Sequence, residues 1–245
     1  MAKNILFILT SHHKLGETGK STGYHLFEAA APWSILSDAG FNIDFASPAG
    51  EHAPIEQSSM DRDDEINRRF LHEAKKDIDN TIKLDHVDAS KYDAVFFPGG
   101  HGPMWDLAEN DKVHEIVRTV YERNNGIVAA ICHGPAALVG LKLSDGSYLV
   151  KGKRIACFSD LEEMVVGRDK VVPFLLASRL REQGATHEMA DDFGQSVCVD
   201  GRLITGQNPA SAVKLGEELR DTLKQADSRT RRREAADRNE QRPGL

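Results

Sequence analysis

The sequence predicts an α/β fold, a mostly parallel central sheet flanked by helices, on three observations. Short apolar runs of strand length alternate along the chain with longer amphipathic segments, the pattern of repeated βαβ units. Two of the most apolar runs, Ala94–Phe97 and Ile127–Ile131, end directly on glycine- and proline-bearing loops, as buried strands facing a cleft do. The length of 245 residues, 40% hydrophobic and 28% charged, suits one substantial α/β domain and is short for two.

The elements follow in order. Ile5 to Leu9 is the first strand, and the polar loop Ser11 to Thr22 leads to a helix over about Gly23 to Asp38. Leu26, Phe27, Ala30, Trp33 and Ile35 line its inner side. Ala39-Gly40 stops that helix, and Phe41 to Ala46 alternates as the second strand. Residues 51–90 are polar and charged with helical stretches such as Glu65 to Lys76, and form an insertion or a cap over one end of the sheet. The buried strand Ala94–Phe97 is closed by Pro98-Gly99-Gly100-His101-Gly102, and the helix Lys112 to Asn124 precedes the next strand, which runs into Cys132. Beyond it come a turn at Ser144–Ser147, a strand at Arg154–Phe158 and a helix at Val172–Gln183. Val197–Val199 and Leu203–Thr205 form a hairpin about Asp200-Gly201, before a final helix from Ala210 to Lys224. Residues 1–224 therefore make one domain. From about Gln225 to Leu245, arginines alternate with acids and no apolar face forms, so the expectation is a disordered charged tail.

Composition narrows the function. The formal charge of −7 is spread out and no basic cluster with interleaved aromatics occurs in the globular part, which speaks against a nucleic-acid partner. No apolar run reaches membrane-spanning length, and Met1-Ala2-Lys3-Asn4 is followed by an apolar run of only strand length, so neither a transmembrane segment nor a secretion signal is expected. Three cysteines without a CxxC pair fit neither a disulfide framework nor a zinc cage, and suggest a reducing, cytoplasmic setting.

The chemistry centres on Cys132. A cysteine in an apolar run is most often a small core residue, and Cys157 and Cys198 are read that way. Cys132 differs because its strand turns at once into Gly134-Pro135, with small residues, Ala130 and Gly134, two positions before and after it. That is the pattern of a nucleophile on a strained strand-to-helix turn, and a helix N-terminus behind it favours the thiolate. His133 is placed to hold that thiolate if a carboxylate orients its ring; Asp160, Glu162 and Glu163, after the next strand, are the candidates. Gly99, Gly100 and His101 leave a strand end where backbone amides can face a reacting oxygen. The loop is neither a dinucleotide fingerprint nor a P-loop, so no nucleotide cofactor is expected. Glu28 sits between Phe27 and Ala29-Ala30-Ala31 on an apolar helix face, where burial raises a carboxyl pKa and suits a proton shuttle.

Five segments, AAICHGPAAL (129–138), FFPGGHGPMWDL (96–107), TGYHLFEAAAPW (22–33), CFSDLEE (157–163) and GRLITGQNPASA (201–212), resemble in order the DJ-1/PfpI superfamily. The likeness is greatest to its Hsp31-like branch of glutathione-independent glyoxalases, and runs from about Lys3 to Leu223. The resemblance implies a flavodoxin-like, class I glutamine amidotransferase-like sandwich. It implies a glyoxalase III-type lyase that converts methylglyoxal and related 2-oxoaldehydes to 2-hydroxy acids such as D-lactate, without glutathione, cofactor or metal. It also implies Cys132 as nucleophile, His133 beside it, Glu28 against the sulfur, Glu163 as third triad member, an oxyanion amide from Gly100, and a homodimer. Some relatives carry a two-histidine metal site, for which the sequence offers no matching cluster. Other readings are a stress chaperone or redox sensor, and a protein deglycase. A glutamine amidotransferase needs a distant His-x-Glu pair, and His187-Glu188 has the wrong spacing; an intracellular peptidase needs a higher oligomer that the insertion obstructs.

Overall fold

The computed structural model describes residues 2–240, with side chains described through Ala226. Its centre is a seven-stranded sheet built from β1 (Asn4–Ile8), β2 (Asn42–Ser47), β3 (Ile82–Lys83), β4 (Ala94–Phe97), β5 (Ile127–Ile131), β8 (Val197–Asp200) and β9 (Leu203–Gly206). The strand order is β3-β2-β1-β4-β5-β9-β8, parallel throughout except for the β8–β9 hairpin. The strand at Arg154–Phe158 is shorter than the apolar run suggests: only β6 (Arg154–Ile155) is extended, and it pairs with β7 (Thr186–His187) in a separate two-stranded ribbon. The reason is that Phe158 donates its N–H back to the carbonyl of Cys132, so this stretch is spent on closing the site.

Each central strand buries both faces. In β1 the odd residues Ile5 and Phe7 join the layer of α1 (Leu26–Asp38) and α8 (Ala212–Glu240). The even residues Leu6 and Ile8 join the opposite layer, with Val113, Ile116 and Val117 of α5 (Asp111–Arg118). Phe7 packs edge-on against Phe45 and Phe96 with ring centroids 5.3 and 4.8 Å away. On α1 the buried set is Leu26, Glu28, Ala29, Ala30, Ala31, Pro32, Trp33 and Leu36, whereas Phe27 and Ile35 are only half-buried.

Residues 51–90 are knitted into the domain. They hold α2 (Glu65–Glu73) and α3 (Lys75–Asp79) and supply β3, the edge strand. Ser59 Oγ accepts the Leu26 N–H at 2.9 Å, so this segment caps the start of α1, where His25 offers no side-chain cap of its own. α8 runs through residue 225, where the sequence reading places the start of a disordered tail; residues 241–245 lie outside the described ones. No helix among the described residues is long and apolar enough to cross a membrane.

Candidate active site

At the carboxyl ends of β4 and β5, beside the point where the strand order reverses, several chemically active side chains converge. Cys132 follows β5 with φ of 59°, the left-handed region that a residue with a side chain enters only under constraint. Two hydrogen bonds supply that constraint: its N–H donates to Gly206 at 2.9 Å and its carbonyl accepts from Phe158 at 2.9 Å. Gly134 must be glycine, since a Cβ there would lie 2.1 Å from the Phe97 carbonyl oxygen. The small residue two positions after the cysteine is thus a packing requirement.

His133 Nδ1 lies 3.3 Å from Cys132 Sγ, and His133 Nε2 lies 2.6 Å from Glu163 Oε2. Glu163 comes from α6 (Asp160–Val165), so the choice left open among three acids resolves geometrically. Glu162 instead closes a capping box with Ser159 and accepts from Phe193 N–H, Gln207 and Asn208. Asp160 accepts from Ser178 and Arg181. Burial works to raise the Glu163 pKa, but His133 and His101 outweigh it and hold the carboxyl well below the usual carboxylate range.

Glu28, fully buried, stands on the other side of the thiol. Its Oε2 accepts the Gly99 N–H at 2.9 Å, and its Oε1 has no hydrogen-bond partner among the described residues. Gly99 makes room for this: a Cβ there would sit 2.3 Å from Glu28 Oε2 and 2.6 Å from Cys132 Cβ. Burial, opposed by interactions with Cys132 and Gly99, pushes the Glu28 pKa up to about 8. Gly100 directs its backbone N–H at the sulfur. The site therefore brings together Cys132, His133, Glu28, Glu163, Gly99, Gly100 and His101.

One expectation needs correcting. The thiol is not held as a thiolate by a helix N-terminus, because the segment after the turn is a single five-residue 3-10 stretch, Gly134–Leu138. Cys132 is only 4% exposed, and burial followed by the neighbouring Glu28 pushes its pKa well up, against the Gly100 amide. Cys132 and Glu28 are thus two acids buried side by side: Glu28 makes the thiol proton harder to lose, while the interaction with Cys132 works against the raised Glu28 pKa.

Sequence reading missed three residues of the same network. His25, on the turn before α1, is half-buried with Nδ1 buried and unpartnered among the described residues, and burial pulls its pKa down to about 4. Glu56, from the 51–90 segment, accepts from the His101 backbone N–H at 2.8 Å and from Arg168 Nη1 at 2.8 Å. Arg168 follows α6. Nothing near Glu56 or Arg168 in the sequence signals this, since the fold brings them to His101 from 45 and 67 positions away. His25 carried a signal, standing one helical turn before Glu28.

His101, His133 and Glu163 also have their ligating atoms within 4.8 Å of one another. That donor set suits a divalent cation in principle, but Glu163 already bridges both imidazoles through close hydrogen bonds, and a cation there would have to displace those two protons. The residues fit a proton network better than a metal centre.

The chain is similar to known proteins over most of its length. Residues 21–222 match the family model described as the DJ-1/PfpI family. Glyoxalase 3 of Candida albicans is 32% identical, over 88% of this chain and 96% of its own length. The glutathione-independent glyoxalase HSP31 of Saccharomyces cerevisiae is 29% identical over 91% and 98%. Among solved structures, Rapid Encystment Protein 24 kDa of Francisella tularensis superposes with a TM-score of 0.86 at 37% identity, covering 90% of this chain and 99% of that one. The crystal structure of Candida albicans glyoxalase III gives a TM-score of 0.82 at 31% identity, covering 89% and 95%. Matches of this extent, in sequence and in fold alike, are not local to the cysteine turn, and the chain belongs to the DJ-1/PfpI family.

Proposed function

We propose that the protein is a glutathione-independent glyoxalase, which isomerises and hydrates methylglyoxal and related 2-oxoaldehydes to 2-hydroxy acids. The observation that carries this reading is the pairing of Cys132 with Glu28: a nucleophile and a carboxyl whose raised pKa lets it take up and give back a proton, buried against each other in one pocket. A hydrolase needs a nucleophile, a base and an oxyanion site; the additional buried acid is what an internal proton transfer requires.

Cys132 sulfur adds to the aldehyde carbon C1, and the thiol proton reaches the new C1 oxygen by way of His133, giving a hemithioacetal. Glu163 keeps His133 oriented, and the Gly100 amide steadies the oxygen while it carries charge. Glu28 as carboxylate then removes the C1 hydrogen. The C1–H electrons form the C1–C2 double bond of an enediolate, and the C2 carbonyl oxygen takes the proton of the C1 hydroxyl by way of His133. Returning a proton to C2 from Glu28 leaves a 2-hydroxy thioester. Water cleaves it to the acid and restores the thiol. No external electron donor or acceptor enters, because C1 is oxidised by the amount that C2 is reduced. Within this reading the protein acts as a cytoplasmic homodimer, a state that light scattering in solution would test.

The deciding assay is lactate formation from methylglyoxal by purified protein, with glutathione absent and chelator present. Turnover by the wild type and its loss in Cys132→Ala support the reading; equal rates in both would overturn it. A second reading, a chaperone-like role, draws on exposed Leu161, Met164, Val165 and Val166 at α6, with exposed Phe193, whose N–H is bonded to Glu162 of the same helix, and exposed Met189. That activity would survive loss of the thiol, so suppression of client aggregation by Cys132→Ala separates the two.

A further inference from the structure

Glu163 accepts from two histidines at once, His133 through Oε2 at 2.6 Å and His101 through Oε1 at 2.9 Å. The second histidine has to be neutral or charged, and the site's behaviour depends on which. Groups that feel this ring come from every side. Glu163 and Arg168 lie along and just after α6, Glu56 comes from the 51–90 segment, His133 from the cysteine turn, and His25 and Glu28 from the start of α1. Burial disfavours a charge on His101, yet the two carboxylates Glu163 and Glu56 prevail over burial and shift its pKa up. Left to them, the ring would be drawn toward the imidazolium.

Arg168 opposes that state. Its Nη1 stands 2.6 Å from His101 Nδ1, and a guanidinium has only N–H donors to offer. An imidazolium would set N–H against N–H at that distance. A neutral ring with its lone pair on Nδ1 accepts the bond instead. Glu56 waits 3.5 Å from the same Nδ1 while receiving the arginine at 2.8 Å, so removing the guanidinium frees a carboxylate to take a proton-bearing Nδ1. We infer that Arg168 is a positioning residue that keeps His101 a neutral imidazole with its hydrogen on Nε2.

The consequence runs along the chain of bonds. Arg168 donates to His101 Nδ1, His101 Nε2–H donates to Glu163 Oε1, and Oε2 of the same carboxylate accepts from His133 Nε2–H. His133 Nδ1 is then left with a lone pair facing Cys132 Sγ at 3.3 Å, which is the base the thiol needs. A positive His101 with its ring centroid 4.0 Å from that of His133 would lower the basicity of His133 and draw Glu163 away from it. Arg168 thereby sets the strength of a base it never touches.

This inference rests on the proposed function for its meaning in turnover, but its test reads the ring directly. Nitrogen-15 NMR of the histidine rings in the purified full chain at pH 7 is expected to show His101, assigned by its loss in His101→Gln, as the neutral Nε2–H form. In Arg168→Met the same ring should be protonated on both nitrogens, kcat/KM should fall roughly tenfold, and its lower pH limb should move. Arg168→Lys, which keeps a donor, should restore the neutral ring. A doubly protonated His101 in the wild type would overturn the inference, as would an Arg168→Met protein whose ring state and pH profile match the wild type. Should Arg168→Met fail to fold, the wild-type spectrum and Arg168→Lys still decide. A neutral His101 in a protein that makes no lactate would sink the glyoxalase reading and leave this one standing.

Discussion

At the residue scale, the site works by withholding water from two acids that both want to keep their protons. Cys132 and Glu28 titrate as a pair, because ionising either makes the other harder to ionise. The expected outcome is that Cys132 alkylates slowly at neutral pH, with a rate that climbs into the alkaline range. In Glu28→Gln the midpoint of that climb should move down, since the neighbouring negative charge is gone. Iodoacetamide rates followed by peptide mapping across pH check this, and an unchanged midpoint would mean the carboxyl does not act on the sulfur. Cys157, wholly buried, should stay unlabelled in both proteins while folded. The sequence disclosed Glu28 through its misfit on an apolar helix face. The raised thiol pKa was not legible there, because burial of Cys132 comes from loops distant in the chain.

At the scale of elements, the cysteine turn is held open by close backbone approach. Gly134→Ala would press a Cβ onto the Phe97 carbonyl and force β4 and β5 apart at their ends. We expect it to cost about 3 kcal/mol and to lower Tm measurably in thermal unfolding. An alanine tolerated without loss would show that the turn can relax. The sheet strands other than β3, the hairpin and the elbow were readable because each follows from local pattern: apolar runs, Asp200-Gly201, and small residues flanking Cys132. The ribbon of β6 and β7 was not, since Phe158 and Ile155 look equally strand-like and only the bond to the Cys132 carbonyl sets them apart. The carboxylate beside His133 shows the same limit. Asp160, Glu162 and Glu163 are equivalent in composition, and the capping box at Ser159 decides which one points away from His133.

At the scale of the whole molecule, the buried carboxyl ties stability to pH. Glu28 has its pKa raised from 4.5 to about 8, so the folded protein holds a proton that the unfolded chain gives up. Its contribution is fully present below pH 4.5, declines as pH rises through that window, and is spent above about 8. Wild type should therefore lose stability relative to Glu28→Gln between those limits, as read by urea unfolding at a series of pH values. Parallel curves for the two proteins would contradict a raised Glu28 pKa. The proposed turnover depends on Glu28 moving the proton that turns an aldehyde adduct into an acid. Its most direct test is Glu28→Gln supplied with methylglyoxal, with the Cys132 adduct followed by intact mass and lactate measured on the same sample. Adduct formation with turnover down by roughly a hundredfold or more is the predicted result; lactate production at near wild-type rate would contradict it and move the proton transfer to His133.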